Sequence, residues 1–166
     1  MSAEIPIICT TLILFIGGLA NVVTVAYNID PVLGQLEQRS FTTQMSGTEE
    51  VPPIETIASG IAQFVLGSTN ITYQVNVTEI LDVTAAHIHA GNVGENGPVL
   101  VTLFESDTPI NPQNGILVQG NIFATDLEGL MQGKQISDLL MAMGDGETYI
   151  NVHTQDNPTG EIRGQL

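Results

Sequence analysis

Positive charge is nearly missing from this chain. Its 166 residues hold three Lys+Arg against 18 Asp+Glu, a formal net charge of −15. Arg39, Lys134 and Arg163 are the only cations. Such a surface repels phosphate backbones, which excludes nucleic acid as a partner, and it offers no grip on anionic lipid headgroups. Cysteine is scarce too: Cys9 stands alone, so no intramolecular disulfide can form and the core must hold the fold. No Gly-x-Ser-x-Gly elbow exists, which removes the usual serine-hydrolase arrangement. The glycine-rich stretch GNVGENG has no lysine and no following helix, so it is a turn rather than a phosphate cradle. No catalytic residue is assigned on these grounds.

Thr, Asn, Gln and Gly are plentiful, and charged residues make up only 13% of the chain. The surface they imply is neutral and polar with an acidic tilt, as in a β-rich exported domain. The acidity serves solubility.

Residues 5–27, IPIICTTLILFIGGLANVVTVAY, contain no charge. As a helix they would span roughly 35 Å, enough for a bilayer core. The expectation is a hydrophobic helix, either a membrane anchor or a secretory signal cut after Ala26. Residues 1–27 are therefore set apart. Residues 28–40, with Pro31 and Gly34, read as a linker.

From Phe41 the pattern changes to period two. Strands are expected near 41–45, 57–66, 70–79, 83–90, 98–104 and 116–123. The clearest alternation is NITYQVNVTE, where Ile71, Tyr73, Val75 and Val77 should face the core and Thr72, Gln74 and Asn76 the solvent. Asn70-Ile71-Thr72 and Asn76-Val77-Thr78 are also glycosylation acceptor tripeptides. Residues 125–143 hold the one helical stretch of this part, with Ser137 as its cap and Gly144 as its end. Leu139, Leu140 and Met143 should cover one end of the strands. A closing hairpin runs TYINVHT, turns through Gln155–Gly160 and returns as EIRGQL. Many short strands without βαβ alternation give an all-β, antiparallel sandwich or barrel with one short helix.

The chain's three histidines are His87 and His89, in AAHIHAGNVGENG, and His153, in NVHTQDNPTG. Side chains alternate along a strand, so His87 and His89 share a face. His153 shares a face with Tyr149 and Asn151. If the two strands are neighbours, three imidazoles converge, and a nitrogen-only trio suits Cu²⁺ or Zn²⁺. The competing reading is structural: each ring donates one hydrogen to a carbonyl and locks a turn. Asn92, Glu95 and Asn96 form a weaker candidate for a Ca²⁺ loop, with too few carboxylates. For Arg163 the expectation is an ion pair or hydrogen bonds to loop carbonyls.

MSGTEEVPP, TAAHIHAGNVGENGPVLVTLF and YINVHTQDNPTGEIRGQL occur in that order. With them the chain resembles the CHRD domain family over residues 41–166. The resemblance implies an immunoglobulin-like β-barrel in an extracytoplasmic setting and a non-enzymatic role in binding or assembly at the cell surface, with a protein partner. It is also similar, more distantly, to copper–zinc superoxide dismutases, which carry a His-x-His strand, a later Val-His and an arginine. Here these would be His87, His89, His153 and Arg163. The bridging histidine, the zinc site and the disulfide cysteines have no counterpart. This second resemblance implies a copper-binding protein with a three-histidine site. In either case the domain is expected outside the cytoplasm, anchored through residues 5–27 or secreted.

Overall fold

The computed structural model describes residues 11–16, 19–24, 40–112 and 114–166. Two compact units contain them, one ending at Arg39 and the other spanning Ser40–Leu166. In the first, β1 (Thr11–Ile16) pairs antiparallel with β2 (Leu19–Thr24). The helix expected over residues 5–27 is thus not supported: the described parts of that run are strands. Both are rich in β-branched residues and Gly17-Gly18 separates them in the sequence, which favours a hairpin over a continuous helix. Among the described residues no helix is long and apolar enough to cross a membrane. The remaining residues of 1–39, including nearly all of the expected linker, lie outside the described ones.

The second unit is an eight-stranded antiparallel sheet. Its strands are β3 (Ser40–Ser46), β4 (Ser59–Leu66), β5 (Ile71–Thr78), β6 (Val83–Ala90), β7 (Val99–Ile110), β8 (Gly115–Ile122), β9 (Thr148–Thr154) and β10 (Ile162–Gln165). They lie in the order β7-β6-β9-β10-β3-β4-β5-β8. All eight belong to one curled sheet, nearly closed into a barrel. The phenol of Tyr73 on β5 donates across the interior to the Leu103 carbonyl on β7, 2.9 Å away, tying the first strand of that order to the last but one.

The alternation of β5 appears as expected. Ile71, Tyr73, Val75 and Val77 are buried and Thr72 is exposed, while Gln74 and Asn76 are half-buried on the outer face. Phe64, Ile88, Leu100, Ile122, Ile150, Val152 and Ile162 join them in the core. Each such side chain taken out of water contributes roughly 1.5–3 kcal/mol. Helix α1 (Ile136–Gly144) contributes Leu139, Leu140 and Met143 to the same core. Its first turn differs in detail from the expectation. Ser137 lies inside the helix; the cap position falls on Gln135, whose N–H donates to the Asp138 carboxylate at 2.8 Å.

Strand β7 runs six residues beyond its expected end at Phe104, through Ile110. ESDTPI has weak strand propensity, but its pairing with β6 continues from Ala85–Glu105 to Val83–Ile110 across a bulge. In the GNVGENG loop, Gly91 (φ 151°) and Gly94 (φ 80°) take left-handed backbone. Gly97 is required for a different reason, because a Cβ there would strike the Ala90 carbonyl.

Candidate functional site

β6 lies beside β9 with His87 opposite Asn151, His89 opposite Tyr149 and Ala85 opposite His153. The neighbours Ile88, Ile150 and Val152 point into the core, so the three histidines occupy the other face of the sheet. The loops close over that face. His89 is 9% exposed, His153 is 8% exposed and His87 is half-buried. One ring nitrogen from each of His87, His89 and His153 lies within 4.8 Å of the other two. The expected convergence is therefore present.

Hydrogen bonds set the tautomers. His89 Nδ1 is 3.0 Å from the Gly97 carbonyl and His153 Nδ1 is 3.1 Å from the Pro158 carbonyl. A carbonyl only accepts, so both Nδ1 atoms carry the hydrogen and both Nε2 atoms carry lone pairs. His153 Nε2 stands 3.0 Å from His87 Nδ1, which must then donate to it. His89 Nε2 is buried and bonds to no protein group. A buried acceptor without a partner is costly, and its ring lies 5.6 and 5.7 Å, centroid to centroid, from those of His87 and His153. The structural role expected of the histidines is visible as well, since two rings pin turns by the carbonyl bonds just described.

Burial lowers the basicity of all three rings. His153 falls to about 4, first because it is desolvated and then because His87 repels a second positive charge. His89 is lowered mainly by burial, with the Gly97 carbonyl opposing. His87 is lowered by burial, with Glu105 and Glu128 opposing. The rings are thus neutral at pH 7; the lone pair on His89 Nε2 is free, and that on His153 Nε2 accepts the His87 Nδ1 hydrogen.

The face extends beyond the histidines. The His89 ring stacks on Tyr149, 4.9 Å between centroids and 7° apart in plane. The guanidinium of Arg163 lies 3.5 Å from the centroid of the Tyr149 ring. Arg163 is 1% exposed and donates to the Asn92 carbonyl and the Asn96 side chain. Of the two roles expected for Arg163, the hydrogen bonds to the loop are the ones present. Asn92 donates to Glu95 and Asn96 donates to the Val51 carbonyl. These side chains are spent on the loop itself, and they form no Ca²⁺ cradle.

Glu50, in the MSGTEEVPP stretch, is 5% exposed. Both of its carboxylate oxygens accept from Asn151 Nδ2, at 3.0 and 3.1 Å. Desolvation raises its pKa to about 7, against the attraction of Arg163 and the Asn151 bond. In the closing hairpin Thr154 bonds Glu161 and Asn157, while Asn151 reaches away from the turn to Glu50. The available signal was that Glu50 sits in MSGTEEVPP, one of the three stretches that carry the family resemblance.

The CHRD domain family model matches residues 41–166. The chain belongs to the CHRD domain family. That match covers the eight-stranded unit almost in full and includes Glu50, all three histidines and Arg163. Membership describes an extracellular or binding domain in general terms. No curated protein and no solved structure matches this chain.

Proposed function

We propose that this CHRD domain binds one copper ion through His87 Nδ1, His89 Nε2 and His153 Nε2. The carrying observation is the buried, unpartnered Nε2 of His89, on a ring fixed by its Nδ1 bond to Gly97 and close to the rings of His87 and His153. The spacing supports it. Two nitrogens bound at about 2.0–2.1 Å to one ion stand roughly 3–3.5 Å apart, and His87 and His153 are already at 3.0 Å. A shift of about 1 Å at the widest separation brings the third into range. The carbonyls of Gly97 and Pro158 would orient the ligand rings, as outer partners of metal-bound histidines commonly do. Binding through Nδ1 would require the other His87 tautomer: the Nδ1 proton passes to solvent and Nε2 takes one up, so the ring stays neutral. Copper is favoured over zinc by the general affinity order for nitrogen sites. The immunoglobulin-like strand plan belongs to this proposal too, as does an extracytoplasmic role in binding or assembly, with a protein partner at the cell surface.

Elemental analysis after copper loading and desalting tests the site. The expected result is one copper per chain at pH 7, and none above background when His87, His89 and His153 are all replaced by alanine. Equal copper in both proteins would assign the metal to surface carboxylates and end the proposal. The site of action is tested separately by mass spectrometry of the native protein. A mature N-terminus near Tyr27 means secretion, and an intact residue 5–27 run recovered with membranes means an anchor. An intact chain recovered from the cytoplasm would contradict export.

A further inference from the structure

The acidic residues are not spread evenly. β3, β4, β5 and β8 are neighbours in the sheet, and none contains Asp, Glu, Lys, Arg or His. Their outer face is a grid, broken by one register shift where β5 pairs with β8. Thr42, Gln63, Gln74 and Gln119 form one row across all four strands by register. Three branched apolar side chains, Ile61, Val65 and Ile116, are 44%, 54% and 52% exposed in the flanking rows. An outward sheet face left in water usually carries charge, which also guards against unwanted pairing. In a chain of net charge −15, a large uncharged face is a departure that needs a cause.

We infer that this face is where two copies of the chain meet, face to face, in a weak symmetric dimer. Charge names the occupant. Two copies of so acidic a protein repel wherever carboxylates oppose each other, and this grid lets their sheets touch without that cost. Depletion of charge, rather than greasiness, is what marks the centre of a non-obligate interface. Size agrees. Four strands about 4.8 Å apart and about eight residues long give a face of roughly 500 Å². Two such faces bury about 1,000 Å² in all, the lower bound for a specific association. The dimer is accordingly concentration-dependent. It is built on the half of the sheet that holds no histidine, so it stands or falls apart from the copper site.

Position-specific cross-linking tests it in the full chain. Gln74 is central in the grid, and in a two-fold contact a central residue meets its own counterpart. In a Cys9→Ser background, Gln74→Cys should give a disulfide-linked dimer under mild oxidation. Asp156→Cys, exposed in the hairpin turn, should give roughly tenfold less or lower. Association driven by the apolar residues 5–27 would instead link both positions equally and would overturn the inference. As a second measure, Gln63→Glu with Gln74→Glu places like charges at the contact and should weaken dimerisation in sedimentation experiments roughly tenfold or more. An unchanged sedimentation profile contradicts the dimer, and so does a native protein carrying glycan at Asn70 or Asn76, whose sugar would occupy this face.

Discussion

Thr72, Gln74 and Asn76 alternate with Tyr73, Val75 and Val77 on β5, and on β9 Tyr149, Asn151 and His153 alternate with Ile150 and Val152. The two strands show the same period of two. On β5 the polar set faces outward and stays partly or fully exposed. On β9 all seven residues are buried. The difference lies in what covers the outer face. Within Ser40–Leu166 no segment covers the outer face of β5. Over β9 lie the GNVGENG loop, held by Arg163, and the segment carrying Glu50, held by Asn151. The alternation of a strand therefore tells which residues face the core and leaves open whether the other face is wet. A dry polar face must satisfy its groups internally; here two acceptors, His89 Nε2 and Asn151 Oδ1, stay unsatisfied, and the first belongs to the candidate site.

The sharpest way to break this comparison is to remove the clamp. Arg163→Ala deletes a fully buried cation and the donors that hold the Asn92–Asn96 loop, and should cost about 3–5 kcal/mol in chemical denaturation. A loss below about 1 kcal/mol would mean that the loop does not seal the face. Next in size is the core side of the uncharged half. Val75→Ala should cost about 1–3 kcal/mol by loss of buried methyl groups, and an unchanged melting temperature would mean that the strand faces the other way.

A matched pair tests the outer faces directly. Asn151→Ala removes the hydrogen-bond donor to Glu50 and should cost about 1–3 kcal/mol. Gln74→Ala, at the equivalent polar phase of β5, should stay within about 0.5 kcal/mol. Equal effects in thermal melts would erase the distinction between the halves.

The pH dependence adds a smaller test with two opposed signs. His153 has a folded pKa of about 4, below the 6.5 of the free side chain. Between those values the unfolded chain binds more protons, so this contribution is full above pH 6.5 and is lost as pH falls toward 4. Glu50 is raised from 4.5 to about 7. Between those values the folded chain binds more protons, so this contribution is full below pH 4.5 and is lost as pH rises through 7. Glu50→Gln mimics the protonated acid. It should make stability rise more steeply from pH 4.5 to 7, and should gain about 1 kcal/mol or more at pH 8. Parallel stability curves for the two proteins would show that Glu50 is not held in a dry site.

Much of this was legible in the sequence. The strands of residues 40–166, the α1 helix, the buried set on β5 and the shared face of His87 and His89 all follow from periodicity, because side-chain direction repeats along a strand. The approach of His153 needed β9 to lie beside β6, a pairing between distant segments that local pattern does not encode. Glu50, Tyr149 and Asn151 were not read as part of the site, since a carboxylate after a turn and polar residues at alternate positions look solvated until a loop is seen to close over them. The extension of β7 depends on its partner strand in the same way. Over residues 5–27 the absence of charge suggested a helix, but the β-branched content of Thr11–Ile16 and Leu19–Thr24 was the better guide to their strands.

The central claim is that the buried polar half of the sheet is built around a three-nitrogen metal site. Calorimetric titration of the metal-free protein with Cu²⁺ at pH 7 tests it most directly, beside the single variants His87→Ala, His89→Ala and His153→Ala. The account predicts one tight equivalent for the native chain, lost or weakened at least tenfold in every variant. Because burial depresses the ring pKa values, that equivalent should survive well below pH 6.5 and disappear as pH approaches 4. No uptake above background, or uptake that all three variants retain, would contradict it and leave the histidines as braces for the loops.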